Sequence, residues 1–222
     1  MHKFSMLMTM SAVVWASIVE AQTNLPPVAS GVFNASTRIE INAPIDVAWQ
    51  ALLDFPSYPN WNPFGKLYEI CKSGSVAHRG QVRSQVVTDD LYVPLKDQTP
   101  KENLRLIIQV QIPPLTPPVT SSTPPNPLNS QVSLENITHV QPSLYRVAWK
   151  QSDIPQLALT SERWSALSVM QCSGGTNVTL YESREVYDGP LAYAVEGLYG
   201  NGLQEGFTAQ GVAFKALLEG SS

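Results

Sequence analysis

From Thr37 onward, apolar and polar residues alternate. Thr37, Ile39, Ile41 and Ala43 share one face, and Arg38, Glu40 and Asn42 the other. This is the period of a half-buried strand. Pro44 follows where the first turn of a helix tolerates a missing N–H, and Asp46 suits the positive end of the helix. Ile45, Ala48, Trp49, Leu52 and Leu53 then recur at helical spacing, predicting an amphipathic helix that ends near Asp54. Pro56 and Pro59 leave room for a short second helix or turns before Trp61-Asn62-Pro63-Phe64. Strand-like segments come next, at Leu67 to Lys72, Gln81 to Thr88 and Leu104 to Ile112. In the last of these, Leu104, Leu106, Ile108, Val110 and Ile112 form an inward face, with Arg105, Gln109 and Gln111 outside. Strands resume over Gln131 to Val140, around Tyr145, Val147 and Trp149, and over Leu159 to Cys172. Ser173-Gly174-Gly175-Thr176 signals a tight hairpin, and Asn177 to Tyr187 returns.

The end of the chain changes period. Leu191, Val195, Leu198, Leu203, Phe207, Phe214 and Leu217 trace a helical stripe from about Pro190 to Glu219. Gly197, Gly200, Gly202, Gly206 and Gly211 interrupt it. Each costs about 1 kcal/mol against alanine inside a helix, so they point to a close approach of the sheet backbone or to a kink. Between Pro113 and Pro127 lie seven prolines mixed with Ser and Thr. This insertion (113–130) is stiff and cannot join a sheet. It reads as a long exposed hairpin tip, the alternative being an O-glycosylated arm or a lid over a cavity mouth.

Composition adds the compartment. Lys3, the apolar stretch Phe4 to Val19 and Val19-Glu20-Ala21 describe a signal peptide over 1–21, cleaved after Ala21, with a flexible lead-in over 22–35. No later segment is long and apolar enough to span a bilayer, so stable membrane insertion is not expected and the protein is expected to be secreted or lumenal. The net charge is -4, and loss of the leader removes one base (Lys3) and one acid (Glu20), leaving it unchanged. A mildly acidic chain does not suit nucleic acid, which wants a basic patch. Charged residues make up 14%, against about 25% in typical domains. Sugar at the sequons Asn34, Asn136 and Asn177 would supply surface polarity. In an oxidising compartment the two cysteines, Cys71 and Cys172, read most simply as one disulfide, with free thiols or a catalytic thiol as alternatives.

Several of these stretches resemble the SRPBCC superfamily, which includes START-like lipid carriers, polyketide cyclases/dehydrases, coenzyme Q-binding proteins and the birch pollen allergen. The resemblance rests on Ile41-Asn42-Ala43-Pro44 through Trp49 and Leu53-Asp54, then Tyr58-Pro59-Asn60-Trp61-Asn62-Pro63-Phe64. It continues in Glu185-Val186-Tyr187-Asp188-Gly189-Pro190-Leu191, Leu203, Gly206-Phe207 and Ala216-Leu217-Leu218-Glu219. It implies one α+β helix-grip domain over 36–219. In that fold a curved antiparallel sheet of seven or eight strands wraps a long C-terminal helix, with two short helices after the first strand. It also implies a monomer that binds an apolar small molecule (a lipid, sterol or polyketide-like compound) in an internal cavity. A cyclase or dehydratase is the alternative, because such a fold hosts carriers and enzymes alike.

The informative residues are polar groups on inward faces. In the last strand, Glu182 and Arg184 share one face, and Ser183, Glu185 and Tyr187 the other, so either orientation buries a charge that needs a partner. Glu182, Glu185 and Arg163 are the candidate catalytic or ligand-orienting groups. Trp61, Tyr68, Trp149, Arg163, Tyr187, Leu203 and Phe207 are the candidate ligand contacts. There is no metal-ligand spacing, no nucleophile elbow and no phosphate-cradling glycine loop, and no cofactor is expected.

Overall fold

A computed structural model describes residues 22–65, 84–171, 175 and 177–220. Strand β1 (Phe33–Ile41) leads through Pro44 into helix α1 (Ile45–Leu53). That helix buries Ala48, Trp49 and Leu52, the stripe its spacing predicted. A 3₁₀ turn (Phe55–Asn60) is the second short helix. Then come β2 (Gln85–Thr88), β3 (Arg105–Gln111), β4 (Ser130–Gln141), β5 (Arg146–Gln151), β6 (Thr160–Gln171), β7 (Asn177–Asp188) and α2 (Ala192–Glu219). The strands form one antiparallel sheet in the order β1-β7-β6-β5-β4-β3-β2. Among the described residues the strand number is therefore seven. The expected strand Leu67 to Lys72 lies outside them, as do Tyr68, Cys71, Cys172 and the hairpin residues 173, 174 and 176.

The architecture is a helix-grip α+β fold. A register shift between Ile137 and His139, where β4 meets β5, breaks the regular ladder as a bulge does, and such breaks bend strands. Helix α2 lies along β1, a sheet edge whose outer backbone groups lack a strand partner. Gln204 satisfies two of them at once, donating to the Ser36 carbonyl at 2.8 Å and accepting from the Ser36 N–H at 3.1 Å. Lys215 donates to the Glu40 carbonyl at 2.6 Å. The core between helix and sheet is aromatic: Phe55, Tyr58, Trp61, Trp149, Tyr181 and Phe214 pack there. None of the described helices is long and apolar enough to cross a membrane.

The helix runs unbroken for 28 residues through its glycines. Three of them admit side chains from across the interface. A Cβ on Gly206 would stand 2.3 Å from the Phe64 ring, on Gly202 2.7 Å from Ile112, and on Gly211 2.5 Å from Thr37.

Two further segments differ from expectation. The lead-in is docked on the outer face of the sheet. Asn24 donates to the carbonyls of Leu144 and Leu167 at 2.8 and 2.6 Å and accepts from Arg146, while Arg184 donates to the Pro26 carbonyl at 2.7 Å. Buried acceptors on that face draw the polar residues of the segment in. The proline-rich insertion also folds back in part. Val119 is buried, and Gln111, expected outside, is fully covered, donating to Ser130 and accepting from the Asn126 N–H at 2.7 and 2.8 Å. Gln109, also expected outside, is buried.

Candidate ligand cavity

Between the inner sheet face and α2 lies a cavity of about 210 Å³. Phe64, Ile108, Val110, Ile112, Trp149 and Leu203 supply its apolar wall. Glu135, Gln151, Ser161, Arg163, Glu185 and Tyr187 supply the polar part. Strand register creates this grouping. Trp149 stands opposite Arg163, and Arg163 opposite Glu185. Glu135 faces Gln151, and Ser161 faces Tyr187. Directly opposed residues on one face sit about 4.5–5.5 Å apart at Cβ, so four strands deliver their polar side chains to one spot.

Arg163 is the fixed centre, only 4% exposed. Its Nε donates to Ser183 Oγ at 3.0 Å and its Nη2 to Gln210 Oε1 at 2.9 Å. The guanidinium lies 4.1 Å over the Phe207 ring and 5.6 Å from Trp149. Hydrogen bonds and aromatic faces thus hold a buried cation that would otherwise be costly.

The acids around it are perturbed. Burial pushes the Glu185 carboxyl up, and Arg163, Ser161 and Tyr187 oppose that push. Glu185 keeps intermediate exposure, consistent with its place on the cavity wall. Burial pushes Glu135 well up. Glu185 adds to the rise, and a short hydrogen bond from Ser133 opposes it. The Tyr187 phenol is raised by burial and then by Glu185. Tyr187 is also stacked on Phe33, ring centroids 4.5 Å apart. Gln151 donates to Asp153 at 2.7 Å and to the Ile154 carbonyl at 3.2 Å, while its buried Oε1 has no partner among the described residues. The cavity therefore offers two carboxyls and an unused acceptor beside an apolar wall.

The sequence candidates divide. Trp149, Arg163, Glu185, Tyr187 and Leu203 line the cavity, and Phe207 lies under Arg163. Trp61 belongs to the core instead, 4.7 Å from Tyr58 and 5.5 Å from Phe214 by ring centroids. Glu182 faces outward, paired with Arg38 at 2.6 Å and accepting from Thr23 and the Asn24 N–H. Its parity is opposite to that of Tyr181, which packs on Phe214 of α2. Sequence reasoning missed Glu135, Gln151 and Ser161 on the cavity wall, and Gln210, which holds Arg163 from α2. Glu135 shares strand parity with the core residue Ile137, and Gln210 falls within the Phe207–Phe214 helical stripe, so both carried a signal. Asn34 and Asn177 are exposed, whereas the Asn136 side-chain oxygen is buried. Among the described residues no His, Cys, Asp and Glu cluster could hold a metal.

No family model matches the chain, and no curated protein matches its sequence. Solved structures do match. A hypothetical protein from Helicobacter pylori aligns at TM-score 0.52 and 11% identity, covering 96% of this chain and 99% of that one. A START superfamily protein from Mycobacterium smegmatis aligns at TM-score 0.43 and 16% identity, covering 85% and 99%. A point mutant of Thalictrum flavum norcoclaurine synthase aligns at TM-score 0.49 and 13% identity, covering 88% and 100%. The alignment with the Helicobacter pylori protein agrees with the helix-grip order of elements. At such identities the likeness speaks of fold alone.

Proposed function

We propose that this protein binds a compact, mostly apolar small molecule between the sheet and α2, with one polar end among the polar side chains gathered around Glu135, Gln151 and Glu185. The observation that carries this reading is the buried charged cluster that opens onto an apolar space. A filled core would have no use for two perturbed carboxyls beside a buried guanidinium. The volume of about 210 Å³ is below the usual ~300–1,000 Å³ of ligand sites, so the enclosed part of the ligand is small. That favours a ring-sized molecule over a whole sterol or a long acyl chain. The reading of 1–21 as a signal peptide supports binding outside the cytosol.

Native mass spectrometry of the purified protein tests the reading. The expected result is a retained small-molecule mass that disappears in Arg163→Met. A bare mass in every preparation, together with no quenching of Trp149 by any apolar probe, would remove it. An acid–base enzyme is the second reading, favoured by the raised Glu135 and Glu185 carboxyls. There Glu185→Gln would lower turnover by about 100-fold or more.

A further inference from the structure

The charge on the cavity wall is unbalanced. Glu135 and Glu185 line the interior and Asp153 stands exposed at its mouth, against Arg163 as the one cation among the described lining residues. Arg163 is already held by Ser183, Gln210 and the Phe207 face, so it acts on Glu185 across space. Beside the two acids lies Gln151 Oε1, a buried acceptor without a partner on a residue 4% exposed. The wall therefore presents three acceptor-bearing groups and more acidic than basic side chains.

We propose that the cavity selects a small ligand bearing a protonated amine, its ammonium seated among Glu135, Glu185 and Gln151 Oε1 and its apolar remainder toward Trp149 and Phe64. This rests on the cavity being the ligand site. An ammonium brings three donors and no acceptor, which matches the three groups it meets. It also supplies the positive charge the wall lacks, and charge-assisted hydrogen bonds are the strong kind. Asp153 at the mouth adds attraction for a cation on approach. A hydroxyl would bring one donor, and a carboxylate would meet two acids at short range. The elevation of both carboxyls by burial agrees with a site that lacks its counter-charge. The groups facing them are Arg163 and Ser161 from β6, Tyr187 from β7, Asp153 after β5 and Tyr199 from α2.

Calorimetry with benzylamine, benzyl alcohol and benzoate tests the selection. At pH 7.5 benzylamine should bind at least about tenfold more tightly than benzyl alcohol, with benzoate weakest. Its affinity should fall from pH 7.5 toward pH 5 as the carboxyls take up protons, while that of benzyl alcohol stays level. Glu135→Gln and Glu185→Gln should each weaken benzylamine about tenfold and so narrow its lead over benzyl alcohol. Both variants should fold, because each removes a buried charge. Benzyl alcohol or benzoate binding as tightly as benzylamine would overturn the amine proposal and leave the cavity as a binding site. An amine preference that persists in the double variant would also overturn it. Failure of all three probes would remove the cavity reading together with the proposal.

Discussion

Gly206→Ala isolates the fit between α2 and the sheet. A methyl group there would lie 2.3 and 2.4 Å from two carbons of the Phe64 ring, which is itself 3% exposed and boxed against Phe207. The ring must move, and overpacking of this kind costs about 1–3 kcal/mol. Alanine gains about 1 kcal/mol of helix propensity over glycine, so the net change should be a loss of about 0–2 kcal/mol. Gly197 on the same helix has nothing within 4 Å of its would-be Cβ, so Gly197→Ala should gain about 1 kcal/mol outright. The two variants should differ by about 1–3 kcal/mol, or several degrees in Tm for a chain of this size. Gly202→Ala should fall between them, because its nearest contact, the Ile112 Cγ2 methyl at 2.7 Å, is longer than the Phe64 contact at Gly206. Urea denaturation followed by tryptophan fluorescence measures all three. In a Phe64→Ala background the Gly206→Ala penalty should vanish. Gly206→Ala as stable as Gly197→Ala would refute the close approach. Because Phe64 lines the cavity, Gly206→Ala should also weaken ligand binding.

Further outcomes concern charge and the outer face. Glu135 holds its proton above its ordinary value of 4.5, so its stabilising contribution is complete below about pH 4.5 and is lost as pH rises through the raised folded value. Glu135→Gln should therefore match the wild type near pH 4 and exceed it in Tm at pH 8; parallel Tm–pH curves would exclude this. Glu182→Ala should release the strap at 23–26 at a cost of about 1–3 kcal/mol, read as faster amide exchange there. Most of that loss comes from the strap contacts, since Arg38 in the ion pair is 44% exposed and its pairing adds little. In a secretory host, glycan should map to Asn34 and Asn177 and not to Asn136, whose side-chain oxygen is buried in the sheet. Peptide mass mapping after deglycosylation checks this.

Much of the fold was legible because local patterns are strong where one face is buried. The alternation from Thr37 to Ala43 and the proline-started helix fell where burial put them, and Ile108, Val110 and Ile112 share the cavity face. The final helix was legible from its stripe. The glycines within it announced a close contact without identifying the partner, which proved to be side chains of Phe64, Ile112 and Thr37. The docked lead-in was not legible, because its hydrogen bonds reach partners more than a hundred residues away.

The same division runs through the candidate site. By itself the sequence determined that β7 carries charge on both faces, because side chains alternate with period two and Glu182 and Glu185 have opposite parity. It could not determine which face looks inward. That was decided by Tyr181 packing on Phe214 of α2, a contact between segments the local pattern does not relate, which turned Glu185 to the cavity and Glu182 to the strap. Likewise β4 was legible as a strand, but only its pairing with β5 set Glu135 against Gln151. Burial periodicity is local and is written along the chain. Register, and with it the meeting of Glu135, Gln151, Arg163 and Glu185, depends on contacts between distant strands and exists only in the tertiary structure.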